Sequence, residues 1–149
     1  MPDKETLKRS EKDRREGKSA STQAGEFVRE EMHHIREGKH GAKSAKQAIA
    51  IGLSKARRAG VPLQPPKEGE APARVREGAK RALAAARSGK AHPSPARSRA
   101  MTKKLKHEGH AAASHLALSR HAHAAAKKRT RSERSASAKK AARTRAQAT

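Results

Sequence analysis

The fold is decided by residues 19–60, which read SASTQAGEFVREEMHHIREGKHGAKSAKQAIAIGLSKARRAG. In the first half of this stretch, four large apolar side chains recur at the spacing of one helix face: Phe27, Val28, Met32 and Ile35. Ser21 or Thr22 is in position to cap the helix that carries them. Gly38 and Gly41 then interrupt the pattern, which predicts a turn.

The second half of the stretch has its own start and stop signals. Ser44 followed three residues later by Gln47 forms a capping box, and Gly60 ahead of Pro62 ends the helix. Small and apolar residues occupy one face of this helix: Ala45, Ala48, Ile49, Gly52, Leu53 and Ala56. Gly52 costs a helix interior about 1 kcal/mol relative to Ala, and it would let a neighbouring helix approach closely. The two helices are predicted to pack as a hairpin.

Outside this hairpin the chain has little with which to build a core. Leu, Ile, Val and Phe together make up 14 of 149 residues, whereas 32 are Ala, which favours helix but buries little area. The predicted fold class is all-α, a short helical hairpin plus extended helical or disordered basic arms. We divide the chain into a charged N-terminal arm (1–18), the hairpin (19–60), a Pro-rich linker (61–72), Ala-rich basic helical segments (73–126) broken at 92–95, and a basic low-complexity tail (127–149).

Charge is distributed very unevenly along the chain. Residues 1–40 contain 10 Lys or Arg and 9 Asp or Glu, whereas residues 41–149 contain 27 basic and 5 acidic residues. So large an excess of positive charge is typical of proteins that neutralise the phosphates of a nucleic acid. The expected function is therefore largely sequence-independent DNA binding of the nucleoid-associated, histone-like kind, with arms that order on the DNA.

The candidate nucleic-acid-binding residues are basic side chains of the hairpin and of the tail. They are Lys43, Lys46, Lys55, Arg57 and Arg58, followed by Lys127, Lys128, Arg129, Arg131, Arg134, Lys139, Lys140, Arg143 and Arg145. The chain has one Phe and no Tyr or Trp, so it lacks the side chains that stack on single-stranded bases. Duplex DNA is thus the expected partner, and a structural RNA-binding or ribosome-associated role is the alternative. Self-association through the hairpin is a further expectation.

Other classes of function find little support in the sequence. There is no Cys, and no paired carboxylates, Gly-rich phosphate loop or nucleophile motif predict catalysis. Eight of the nine His fall into two groups, 33–40 and 107–123. In the larger group the histidines that share a helix face, His107, His110 and His121, would span about 21 Å, too far for one ion, and no carboxylate except Glu108 has a complementary spacing. We therefore expect no enzyme activity, no metal and no cofactor. No apolar run approaches the length of a membrane span, so no membrane partner and a cytoplasmic, nucleoid location are expected.

The phrase KHGAKSAKQAIAIGLSKARRAGVP, residues 39–62, resembles the core of a family of short, basic, uncharacterised bacterial proteins, some of them labelled DNA-binding. The preceding STQAGEFVREEMHHIREG fits the same family. The tail, with RSASAKKAARTRA, is similar to the basic tails of bacterial linker-histone-like proteins. The resemblance implies association with nucleic acid and supplies no catalytic residue.

Overall fold

Alanine-rich sequence and few β-branched residues favour helix throughout, and helices are what the chain forms. The computed structural model describes residues 2–89 and 94–147, and within these ranges it contains α-helices, one 3₁₀ turn and no strand. The helices are α1 (Lys4–Arg15), α2 (Ala20–Arg36), α3 (Ala45–Arg58), α4 (Ala73–Arg87), α5 (Pro95–Lys106), α6 (His115–Lys127) and α7 (Arg131–Gln147), with the 3₁₀ turn at Ala111–Ala113. The all-α prediction is confirmed.

The predicted pairing of α2 with α3 is the centre of the first unit, which ends at Ser114. Phe27 and Ile35 are almost completely buried on α2, and Ala48 and Ala56 are fully buried on α3. The two helices meet at Gly52. A Cβ at this position would lie 2.7 Å from the Cα of Val28, so the backbones approach more closely than any side chain would permit.

The ends of these helices follow the predicted capping chemistry with one correction. Ser19, rather than Ser21 or Thr22, caps α2, and its hydroxyl accepts a hydrogen bond from the Thr22 amide at 3.3 Å. Ser44 caps α3 as predicted, accepting from the Gln47 amide at 3.2 Å. The α2 helix therefore begins two or three residues earlier than predicted, and α3 begins where it was predicted to begin.

The N-terminal residues are part of this unit, because α1 packs against α2. Thr6 is buried, Arg9 pairs with Glu26, and the amide of Asp3 donates to Glu30 Oε2 at 3.0 Å. The prediction of a hairpin with extended or disordered arms is wrong here, because a helix with one large apolar residue, Leu7, can still dock through short polar side chains and ion pairs.

The residues after α3 also pack onto the hairpin. Val61 is buried with Phe27 and Ala56, and Ala79 and Leu83 are the buried residues of α4, which contacts α3. The Pro-rich segment thus begins inside the core, and α4 completes a helical bundle with the first three helices.

The turn between α2 and α3 is covered by the end of α5 and the segment that follows it. The amides of Gly41 and Ala42 donate to the carbonyls of Leu105 and Gly109 at 2.9 and 3.0 Å. A Cβ at Gly41 would lie 1.9 Å from the Glu108 carbonyl oxygen, so only glycine fits. Arg36 Nε donates to the Ala113 carbonyl at 2.9 Å, which fixes the 3₁₀ turn to the end of α2.

The second unit begins at His115 and contains α6 and α7, neither of which has a buried residue. Thr130 and Glu133 form a capping box, since the Thr130 hydroxyl accepts from the Glu133 amide at 3.2 Å and Glu133 Oε2 accepts from the Thr130 amide at 2.7 Å. The low-complexity tail is therefore helical over Arg131–Gln147, and the alternative of disordered arms is not supported.

Two further predictions concern particular segments. Of the break expected at 92–95, residues 92 and 93 lie outside the described residues, while Ser94 precedes α5 and Pro95 is its first residue, a position that proline favours. Among the described residues, no helix is both long enough and apolar enough to cross a membrane.

Candidate nucleic-acid interface

Three of the five basic residues predicted in the hairpin are on its surface. Lys43 and Lys46 are exposed at the start of α3, and Arg58 is exposed at its end. These three side chains are free to reach a phosphate without disturbing the packing of α3.

Lys55 is placed differently, because it points into the interface between α2 and α3. Its side chain is 16% exposed, and its Nζ lies 3.1 Å from Glu30 Oε1 and 2.7 Å from Glu31 Oε2. Two buried carboxylates hold this ammonium group inside the fold. Lys55 is therefore a structural residue in this arrangement, and a phosphate would have to compete with both glutamates for it.

Arg57 is also occupied within the fold. It is buried, and its guanidinium donates to the carbonyls of Leu63 and Gln64 at 3.2 and 3.1 Å. Burial lowers the pKa of Arg57 from its ordinary value, yet an arginine stays charged at neutral pH. The side chain ties the start of the Pro-rich segment to α3, and it is not presented to a ligand.

The tail residues predicted to bind are all exposed. Lys127 ends α6, Lys128 and Arg129 lie in the connection, and the other six belong to α7: Arg131, Arg134, Lys139, Lys140, Arg143 and Arg145. Successive residues of a helix are about 100° apart, so these six point to all sides of α7. The helix has a single acidic residue, Glu133, which caps its N-terminus. It presents positive charge around its whole circumference.

The helix α5 lies within the predicted basic helical segments, but its basic residues were not among the candidate binding residues. All five Lys and Arg residues of α5 are exposed, and this helix contains no acidic residue: Arg97, Arg99, Lys103, Lys104 and Lys106. Leu105 is its buried residue and holds its C-terminal end on the turn between α2 and α3. The run of basic residues was readable, but nothing in the sequence predicts that this segment docks on the bundle.

The acidic residues of the first forty positions are largely engaged inside the first unit. Glu11 pairs with Arg14 and Arg15, and its pKa is lowered to about 2, first by the hydrogen bond from Arg14. Glu26 and Asp13 are similarly paired with Arg9 and Lys18. These pairs use basic residues of the same stretch, so they leave the positive charge of residues 41–149 largely unmatched.

Comparison with known proteins shows that part of this arrangement is similar to a protein family. Residues 15–68 match a protein family described as a family of unknown function (DUF6496). The match covers less than half of the chain and includes α2, α3 and the beginning of the Pro-rich segment. No curated protein and no solved structure matches the chain.

Proposed function

We propose that the protein is a non-enzymatic, largely sequence-independent DNA-binding protein of the nucleoid-associated, histone-like kind. It acts by neutralising phosphates, and the likeness of residues 39–62 to basic bacterial proteins labelled DNA-binding supports this proposal. The observation that carries it is the exposure of basic side chains on α5 and α7, two helices that together contain a single acidic residue.

The second unit supports binding through charge rather than through shape. α6 and α7 bury no residue, and Leu116 is the one exposed large apolar side chain that they carry, which is too little apolar surface to fix the orientation of a partner. Helices of this kind contact phosphates, which position a protein on DNA but carry no sequence information. The exposed Lys46 and Arg58 on α3, with Lys43 just before it, are residues of the first unit that could dock on DNA in a defined register.

Duplex DNA is the proposed partner, and structural RNA is the alternative. Proteins that grip single strands stack bases on aromatic side chains, and the one aromatic residue other than histidine, Phe27, is buried in the core. Phosphate contact with a duplex needs no such side chain. A nucleoid location in a bacterial cell and self-association through the hairpin belong to the same proposal.

Affinity for duplex DNA is expected to be micromolar or tighter at low salt and to collapse as the salt concentration rises. If eight phosphates are engaged, the slope of log K against log salt is roughly −7. Fluorescence anisotropy with a labelled duplex, repeated over a salt series, measures this slope. A slope shallower than about −2 would contradict binding through phosphate neutralisation. Competition at fixed salt between duplex DNA and a structured RNA decides between the two partners.

Changing Lys139, Lys140 and Arg143 to Gln is expected to make the salt slope of duplex binding shallower by about 2.7, because each lost phosphate contact removes about 0.9. Glutamine keeps helix propensity close to that of Lys and Arg, so α7 should remain helical. The loss of affinity should be similar for duplexes of different sequence, since phosphate contacts are not sequence-specific.

The matched control removes the same charge from α1. Lys8, Lys12 and Arg15 are exposed and paired with glutamates three or four residues away, and their change to Gln should leave the salt slope nearly unchanged. Equal slopes for the two triple variants would show that net charge, and not contact by α7, determines binding.

A further inference from the structure

A cluster of titratable side chains lies between the end of α2 and the turn that follows it. Glu31 and His34 stand three residues apart on one face of α2, and His40 belongs to the turn. One carboxylate oxygen of Glu31 and one ring nitrogen of each histidine lie within 4.8 Å of one another. Glu-x-x-His on a helix facing a second histidine is a spacing that metal sites in helical bundles use.

Beside this cluster two buried carboxylates face a single ammonium group. Glu31 is fully buried and Glu30 nearly so, and one ammonium group, that of Lys55, faces both. Lys55 Nζ lies 2.7 Å from Glu31 Oε2, yet neither oxygen of Glu31 accepts a hydrogen bond of good angle. A buried carboxylate without compensating charge is strongly destabilising, so this position favours a cation.

The hydrogen bonds of the two histidines fix which ring nitrogens are available. His40 Nδ1 lies 3.1 Å from the Gly41 carbonyl oxygen, which can only accept, so Nδ1 carries the proton. In neutral His40 the lone pair is then on Nε2, which lies 3.3 Å from Glu31 Oε1. Two acceptors facing each other at this distance call for a positive charge between them.

His34 is oriented in the same way by Asp3. Its Nε2 lies 3.1 Å from Asp3 Oδ2, and the carboxylate accepts the proton of that nitrogen, leaving the lone pair on Nδ1. A carbonyl or carboxylate that holds the second nitrogen of a ligating histidine is the usual outer partner in metal sites. Both histidines of the cluster have such a partner.

We propose that Glu31, His34 and His40 bind one divalent transition-metal ion, with zinc as the best match. Two imidazoles and one carboxylate are ligands that zinc accepts, with water completing four positions. Tetrahedral zinc ligands are about 3.4 Å apart at the usual bond lengths, close to the 3.3 Å between His40 Nε2 and Glu31 Oε1. Because Oε2 of Glu31 is paired with Lys55, Oε1 of Glu31 is the oxygen that would bind the ion.

The surroundings fit this ligand set. Three carboxylates lie at this position, those of Asp3, Glu30 and Glu31, so the local charge favours a divalent cation. His34 lines a surface depression, which provides a path from solvent. Magnesium, which prefers oxygen ligands and keeps its water, does not fit two imidazoles.

Calorimetric titration of the full-length protein, without a histidine tag and stripped of metal with EDTA, tests the proposal. The expected result is one zinc ion per chain, with an affinity that falls at least tenfold in H34Q and in H40Q and stays unchanged in H33Q. His33 is exposed beside His34 and outside the cluster, so H33Q is a matched control. Magnesium should give no heat of binding.

A second measurement on the wild-type chain does not depend on how the variants fold. Two-bond ¹H–¹⁵N spectra of the imidazoles should show His40 protonated on Nδ1, with its Nε2 resonance shifting on zinc addition. Dissociation constants weaker than about 0.1 mM, or zinc shifts confined to the histidines at 107–123, would overturn the proposal. So would zinc affinity in folded H34Q and H40Q equal to that of the wild type.

Discussion

Replacing Gly52 by leucine is expected to separate α2 from α3 and to lower the free energy of unfolding by about 3 kcal/mol or more. The reason is that a Cβ at this position would meet backbone, 2.7 Å from Val28 Cα and 2.9 Å from Val28 N. Backbone atoms cannot rotate away as a side chain can, so α2 itself must move and its packing against Ala48 and Ala56 is lost. Thermal and urea melts followed by circular dichroism measure the change.

The control for this prediction is a glycine in the neighbouring helix. Gly25 lies within α2 and a Cβ there would meet nothing within 4 Å, so G25A should raise stability by about 0.5–1 kcal/mol through helix propensity. The structure therefore predicts that G52L lowers the free energy of unfolding and that G25A raises it. A G52L protein that melts like the wild type would mean that the two helices do not meet at Gly52.

Changing Lys55 to methionine is the second large expected effect, a loss of about 3–5 kcal/mol of stability. Methionine fills a similar volume but leaves the carboxylates of Glu30 and Glu31, 2% and 0% exposed, without their ammonium partner. If Lys55 instead served a phosphate, the same change would leave stability intact and would reduce the salt slope of DNA binding. Melts and binding assays on the same variant therefore distinguish the two roles.

Two companion variants separate charge from packing at this position. K46M removes an exposed lysine from the same helix and should change stability by no more than about 0.5 kcal/mol. Adding E30Q and E31Q to K55M should recover part of the loss, because it removes the unpaired charges. A K55M variant no less stable than K46M would contradict the buried ion pairs.

The hairpin was predictable because its signals are local. Phe27 and Ile35 recur at helical spacing, Ser44 and Gln47 mark a helix start, and Gly52 interrupts a helix where only close packing justifies a glycine. Each signal depends on residues within two turns of one another. The boundaries of α3 and its buried small residues could therefore be read from sequence alone, whereas Ile49 and Leu53, predicted on the same face, are only half-buried.

The buried charges were not predicted, although one signal was present. Glu31 lies four residues after Phe27 and four before Ile35, on the apolar stripe itself, where a charge must find a partner. That partner, Lys55, is 24 positions away, and no local pattern connects the two. The burial of Arg57 was missed for another reason: its partners are the backbone carbonyls of Leu63 and Gln64, and their position depends on how the chain turns after α3.

The helical tail was partly readable. Thr130 and Glu133 have the spacing of a capping box, and the alanines that follow favour helix. Composition alone, with many charges and few large apolar residues, indicated a low-complexity tail and did not decide between a helix and a disordered arm. The Thr130–Glu133 capping pair is the local signal that favours the helix.

The turn between α2 and α3 is closed by the carbonyls of Leu105 and Gly109, more than sixty residues further along the chain, and this sets an order for synthesis. A ribosome adds about 5–20 residues per second, so the hairpin leaves it several seconds before the segment that covers its turn. During that interval the amides of Gly41 and Ala42 are satisfied by water. Residues 15–68, the stretch that matches the family, thus form a hairpin whose turn is completed only by sequence outside the match.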